Sequence, residues 1–448
     1  MFIFLLLALW WFKKGKKELS IITFFGFLTG GFQLIPDAVF AFPVSIKPTD
    51  YAILYLLGVI AMEYFSGKRK ELIDVLPKFT LIFLSFIVLA AGVSIFIYHI
   101  PIVEVIKNTR QYFLLLSPIL FYTLSKEELQ NVVKFLFKIT LFLSILYSLQ
   151  PMLDMPILQG HYTEGKTPLF GMFEIARFYN TPIYHNFFFL FALYNSEFTK
   201  KQKLVYLSIL VLPIFLCMHR SLLLAFILVV LYNHFREKIK KIYPILIVIF
   251  VALIPFLGVI QGNLLETKIA QDIIGSVEIE PEDFVAGTLD DATFTFRVLH
   301  FLERLYYASE DWITLLFGLG FMSEGSDYTI NNFDFIVGLE NEETGFVDQV
   351  NTADIAWSLF VIRLGLIGTI VYLIYYFLLM RFFNKRYNKP IAKSIFLAMC
   401  LIFILTFTGV RILDMETITF ILLVYVLLQK NEINVNNEED NLLSKENN

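Results

Sequence analysis

The sequence predicts an all-α integral membrane protein: a polytopic bundle of about 12 to 13 transmembrane helices with one large extracytoplasmic loop. Three observations carry this. Of the 448 residues, 57% are apolar, and the mean hydropathy is +0.68. Apolar runs long enough to cross a hydrocarbon core of ~30 Å recur along the chain. Short Lys-rich segments separate them at every second loop. Strand-like alternation in ten-residue segments is absent, so the spans read as helices and not as barrel strands.

The spans fall near 1–12, 19–35, 49–65, 79–99, 108–124, 133–150, 182–197, 204–218, 220–234, 243–260, 353–380, 394–410 and 413–429. The run Met1 to Phe12 is followed by its basic cluster and lacks a small-residue cleavage site, so it reads as a short first span and not as a signal peptide. The chain therefore divides into an N-terminal bundle, 1–260, of about ten spans with an outer loop at 151–181. An acidic extracytoplasmic loop follows at 261–352, then C-terminal spans at 353–429 and a disordered cytoplasmic tail at 430–448.

Basic residues set the orientation. One face receives Lys13 to Lys17, Lys68 to Lys78, Lys126 to Lys138, Lys200 to Lys203, Arg236 to Lys241, Arg381 to Lys393 and the tail, and by the positive-inside rule it is cytoplasmic. The other face carries few lysines but seven arginines: Arg110, Arg177, Arg220, Arg297, Arg304, Arg363 and Arg411. The positive-inside rule does not explain these. Arginine is the residue for a planar, two-pronged grip on phosphate; each is alternatively a headgroup anchor or the partner of a loop acid.

The large loop holds 18 acids against three basic residues, Lys268, Arg297 and Arg304. Its acid-rich stretches read as solvated turns. In its middle, Phe296, Val298, Leu299, Leu302, Leu305 and Tyr306 predict an amphipathic helix near 294–308. Arg297, His300 and Arg304 follow at i, i+3 and i+7 along one face of it. The turn Phe317-Gly318-Leu319-Gly320-Phe321 comes next, and this segment is expected at the outer interface with its aromatics in lipid.

An ionisable group at membrane depth costs several kcal/mol unless paired or facing water, so each is a candidate for function. Arg220 sits between two short spans, and His185 with Asn186 opens another after Arg177. Asp354 opens the span after the large loop, with an N-cap as its plainer role. Arg363 lies about 13 Å deeper on the same helix, too far for the two to pair, and Asp414 or a backbone group is its simplest partner. Only two cysteines occur, Cys217 and Cys400, both in apolar runs, and no Cys/His metal spacing exists. No metal, cofactor or nucleic-acid partner is expected, and no Gly-rich phosphate loop lies on the cytoplasmic side.

Four features, in this order, resemble the bacterial O-antigen polymerases and O-antigen ligases. They are Arg177 before His185-Asn186-Phe187; His219-Arg220-Ser221 at a short outer turn; Arg297 leading a loop helix before Gly318-Leu319-Gly320; and Asp354 ahead of Gly365-Leu366-Ile367-Gly368. The resemblance spans about residues 100 to 430. It implies a metal-independent glycosyltransferase of the bacterial inner membrane, with its active site facing the periplasm or cell exterior. Its substrates would be polyprenyl-diphosphate-linked oligosaccharides, with membrane lipids, a chain-length regulator and a flippase as partners. On that reading Arg220 and Arg297 clamp the diphosphate and Asp354 is the general base. Arg177, His185, Asn186, His300, Arg304 and Arg363 line the substrate sites. The ligase branch looks to have a catalytic histidine where this chain has Asp354, and His300, on the loop helix, is not its equivalent. That departure favours a polymerase. A ligase acting on lipid A core, a lipid-linked sugar transporter and a membrane scaffold stand as alternatives, although no inverted repeat of the transporter kind is visible.

Overall fold

A backbone out of reach of water must close its hydrogen bonds within its own segment, and the computed structural model of the chain is built almost wholly of helices. It describes residues 1–41, 47–67, 71–160, 162–169, 173–217, 219, 221–236, 292–340, 347, 349–352 and 354–446. The expected span at 243–260 and Arg220 lie outside the described residues.

Helices α1 (Phe2–Lys13), α2 (Lys17–Leu28) and α3 (Pro48–Phe65) pack together. Ser20 pins them: its hydroxyl donates to the Ala8 carbonyl at 2.6 Å and meets Tyr55 Oη at 2.5 Å. After α4 (Thr80–Phe96), the expected span at 108–124 is bent into α5 (Ile102–Thr109), a 3-10 stretch Arg110–Leu116 and α6 (Ser117–Tyr122). Pro118 fits the boundary between the 3-10 stretch and α6, since it lacks the N–H that a continuous helix would use there. Helix α7 (Lys126–Leu153) begins with a capping box in which Ser125 and Glu128 satisfy each other's backbone N–H at 3.1 and 2.6 Å.

The segment 151–181, expected as an outer loop, carries a β-hairpin, β1 (Tyr162–Leu169) with β2 (Phe173–Phe178), antiparallel with Thr167 opposite Ile175. Polar side chains of the bundle hold its base. Gln150 Oε1 accepts from the Ile157 and Leu158 N–H groups at 2.9 and 2.7 Å, and Tyr147 Oη donates to the Phe178 carbonyl at 2.7 Å. Next come α8 (His185–Tyr194), α9 (Lys200–Leu216) and α10 (Ser221–Arg236). The large loop contributes α11 (Ala292–Ser309), α12 (Trp312–Phe317), α13 (Asp327–Asn332) and β3 (Phe335–Glu340). Helices α14 (Ala356–Lys385), α15 (Pro390–Ile404) and α16 (Met415–Glu446) complete the chain.

Among the described residues, three helical segments are long and apolar enough to cross a membrane: α7, α14 and Pro390–Phe407. Their outer faces stay apolar. On α14, Leu366, Ile370, Ile374 and Phe377 recur at helical spacing and are exposed, while Tyr372, Tyr375 and Tyr376 are buried against the bundle. Burying one such side chain is worth about 1.5–3 kcal/mol, so a face of this kind left in water forfeits most of that gain.

Contacts sort the connecting segments into two ends of the bundle. At one end Lys17 Nζ donates to the Thr123 carbonyl at 2.6 Å, Lys430 Nζ to the Leu124 carbonyl, and Arg236 Nη2 to Asn384 Oδ1 at 2.6 Å. At the other, Gln33 Nε2 donates to the Thr181 carbonyl at 3.2 Å, Arg411 Nη2 to Thr181 Oγ1 at 2.8 Å, and Arg110 pairs with Asp50 at 2.8 Å. The first set joins the Lys-rich segments; the second joins the Arg-bearing ones.

Helix α14 is broken near its top, where Gly365 has φ 57° and ψ −163°. The turn after α12 fills the break: Gly318 and Gly320 have φ of 86° and 102°, and the Gly320 N–H donates to the Ile362 carbonyl at 3.1 Å. A Cβ at Gly365 would strike Gly318 N and the Leu316 carbonyl, and one at Gly318 would reach the Ile362 carbonyl. Only glycine permits this approach. The expectation that 317–321 places its aromatics in lipid is therefore corrected. Phe321 is buried within the core, Phe317 stacks on Phe86 at 6.1 Å, and of this stretch only Trp312, before it, is strongly exposed. The tail expected as disordered continues α16 as helix to Glu446, in keeping with helix extension being far cheaper than nucleation.

Candidate functional site

The amphipathic helix expected near 294–308 is α11, and its charged face lies against the start of α14 and against β3. Side chains at i and i+3 of α11 meet Asp354, just before α14, and Ser358, in its first turn. Arg297 Nη2 stands 3.4 Å from Asp354 Oδ1. One turn further along, His300 Nδ1 lies 2.9 Å from Ser358 Oγ. Sequence separation set His300 apart from Asp354, yet the fold brings both to the same helix end.

Asp354 is held but not enclosed. Its Oδ2 accepts from Thr352 Oγ1 at 3.3 Å, its own N–H donates to Thr352 Oγ1 at 3.2 Å, and its side chain is 47% exposed. It precedes the N-cap of α14, which is Ile355, so capping is not its role. Arg297 is 15% exposed, and its buried Nε has no protein partner among the described residues. A guanidinium with five N–H donors and one long contact keeps most of its hydrogen-bonding capacity unspent.

His300 is buried, with Nε2 unpartnered among the described residues. Burial, helped by the nearby Arg304 charge, pushes its pKa down to about 3. The ring is therefore neutral at physiological pH, with one nitrogen on Ser358 and the other free to bind or to accept.

Arg304 sits differently. Its side chain is 0% exposed. It donates through Nε to the Val350 carbonyl at 3.4 Å and through Nη2 to the carbonyls of Val337 and Gln349 at 3.1 and 2.6 Å. Nη1 pairs with Glu303, and the guanidinium lies 3.7 Å over the Phe335 ring. Glu303 in turn accepts from the Ile336 and Val337 N–H groups at 2.7 and 3.2 Å. Burial pushes the Glu303 carboxyl up and the Arg304 guanidinium down to about 10, with each opposing the other's shift. Arg304 is thus still charged at neutral pH, and its donors are committed to holding β3 and 349–350 on α11.

Arg363 is buried below the Gly365 break's partner turn and donates through Nη1 to the Met322 carbonyl, a backbone contact rather than a pairing with Asp414. That 321–323 stretch is clasped from the other side by α5. Asn108 Nδ2 donates to the Phe321 and Met322 carbonyls at 3.0 and 3.1 Å, and Glu104 accepts from the Ser323 N–H at 3.0 Å. His185 and Asn186 are buried at the top of α8, with His185 Nε2 2.6 Å from the Leu210 carbonyl. Arg177 lies in β2 by its backbone; its side chain, like Arg220, is outside the described residues.

The structure therefore brings together Arg297, His300 and Asp354, adds Ser358 and Thr352, and places Arg304, Arg363 and His185 in separate buried contacts. Ser358 lies four residues after Asp354, in the first turn of α14, and carried no signal of its own in the sequence. Glu303, Asn108 and Glu104 carried no signal, since the groups they tie together across the fold, 336–337 and 321–323, lie far along the chain. No group of three or more potential metal ligands occurs among the described residues. No protein-family model matches the chain, and comparison with curated proteins gives no match.

Proposed function

We propose that this chain is a polytopic membrane glycosyltransferase that extends a polysaccharide from lipid-linked repeats, with Arg297 and Asp354 at its reacting centre. The observation that carries the reading is the accessible Arg297–Asp354 pair at the end of the bundle where the arginine-bearing segments meet. The exposed apolar faces of α4, α10 and α14 support embedding in lipid, with the Lys-rich end cytoplasmic.

The chemistry follows from partner exchange. Asp354 Oδ1 lies 3.4 Å from Arg297 Nη2, so the carboxylate and the guanidinium face each other. A diphosphate arriving at Arg297 offers that guanidinium a stronger acceptor and releases the carboxylate. Asp354 then takes the proton of the acceptor sugar hydroxyl, whose oxygen forms the new bond to the anomeric carbon. The bond from that carbon to the carrier diphosphate breaks. The charge developing on the departing diphosphate is met by Arg297 and, on this reading, Arg220.

Reconstitution with a polyprenyl-diphosphate-linked repeat tests it. Asp354→Asn keeps the contact with Arg297 but removes the base, and chain growth should fall by about 10²–10⁴ with single repeats accumulating on the carrier. Full-length polymer from Asp354→Asn, at equal protein level in the membrane, discards the assignment. Arg220→Ala separately tests the second arm of the clamp.

A further inference from the structure

At the Lys-rich end of the bundle, α8, α10 and the α14–α15 turn converge on a nest of cations and aromatic rings. The Arg236 guanidinium lies flat over Tyr387, 3.6 Å from the ring centroid, and Nη2 donates to Asn384 Oδ1 at 2.6 Å. Tyr387 is held by its own hydroxyl, which donates to Asn233 Oδ1 at 2.6 Å. Asn233 also bonds Tyr194, whose ring carries Lys393 Nζ at 4.2 Å; the same ammonium is 5.2 Å from Tyr387. The charged groups that act on Lys393 are Arg236 and Lys203, both positive. Among the described residues no carboxylate pairs with Arg236, Lys203 or Lys393.

Arg236 and Lys393, half-buried on aromatic supports, and the nearby Lys203 have no carboxylate partner among the described residues, and like charges repel one another in a medium of reduced dielectric. An anion held between them removes that repulsion. The exposed side of α10 shows where such an anion comes from. Leu224, Ile227, Leu228, Leu231 and Phe235 form one apolar stripe that ends a residue short of Arg236. An acyl chain laid along that stripe brings its headgroup to the nest.

We propose that Arg236, Lys393 and Lys203 grip the phosphate of an anionic phospholipid whose acyl chain lies on the apolar stripe of α10. The site is independent of the glycan chemistry at the opposite end and takes a lipid, not a lipid-linked sugar.

Native mass spectrometry of the full-length protein in detergent, titrated with phosphatidylglycerol, phosphatidylcholine or inorganic phosphate, tests it. Phosphatidylglycerol should stay bound where phosphatidylcholine does not, and inorganic phosphate at the same concentration should not displace it. Each cation near the surface contributes about five-fold in affinity, so Arg236→Gln with Lys393→Gln should lower phosphatidylglycerol occupancy by about 25-fold. The charge-keeping pair Arg236→Lys with Lys393→Arg should retain it, which separates loss of charge from misfolding. Equal retention of both lipids, unchanged occupancy in the Gln pair, or displacement by inorganic phosphate would each overturn the proposal.

Discussion

Arg297 and Arg304 lie on one face of one helix, two turns apart, and their surroundings differ in kind. Arg304 spends its donors on three carbonyls and Glu303, and no solvent reaches it. Among the described residues, Arg297 makes one contact, at 3.4 Å, with a half-exposed carboxylate. Residue type and helical phase are the same, so neither distinguishes a strut from a binding group. What separates them is how much of the guanidinium's donor capacity the protein itself has used.

The largest way to break this contrast is Arg304→Met. It leaves Glu303 buried without its counter-charge, and the loop should lose about 3–5 kcal/mol, read as early denaturant unfolding or proteolysis of 292–352. Arg297→Met should do the opposite: stability within about 1 kcal/mol of wild type, because the pair is long and half open, but a fall in polymer formation of about 10²–10³. Equal losses of stability in the two variants would erase the distinction.

His300 sharpens the comparison through pH. Its pKa is about 3 in the fold against 6.5 when unfolded, so below pH 6.5 the unfolded chain binds a proton that the folded chain refuses. Stability from this group is complete above 6.5 and declines as pH falls. The loss is about 1.4 kcal/mol per unit, or about 2 kcal/mol at pH 5. His300→Gln should flatten that dependence in denaturation curves taken between pH 7 and 5. Ser358→Ala should have the smallest effect, about 1 kcal/mol, through the lost bond to His300 Nδ1.

Local periodicity made α11 and the shared face of Arg297, His300 and Arg304 legible, because both depend only on spacing within one helix. It could not show which arginine would be sealed. The seal comes from β3 and Gln349, 33 to 46 residues downstream of Arg304, and β3 is too short to announce itself by alternation. The hairpin at 162–178 escaped for a related reason: its anchors lie outside the strands, Gln33 in the turn after α2 and Tyr147 and Gln150 on α7. Gly365 was visible as a glycine in a span, but its left-handed backbone depends on Gly318, 47 positions earlier, coming close enough to need the room.

That severed helix has a mechanical outcome. Before Gly365, the short piece of α14 that carries Ser358 and follows Asp354 is tied by its backbone to the Gly318–Gly320 turn and packed by α11 and α12, so its position is set by those loop helices as well as by the longer shaft after the break. Carboxylate, imidazole and guanidinium thus share one support, and their spacing depends on the two glycines that let the turn enter the break.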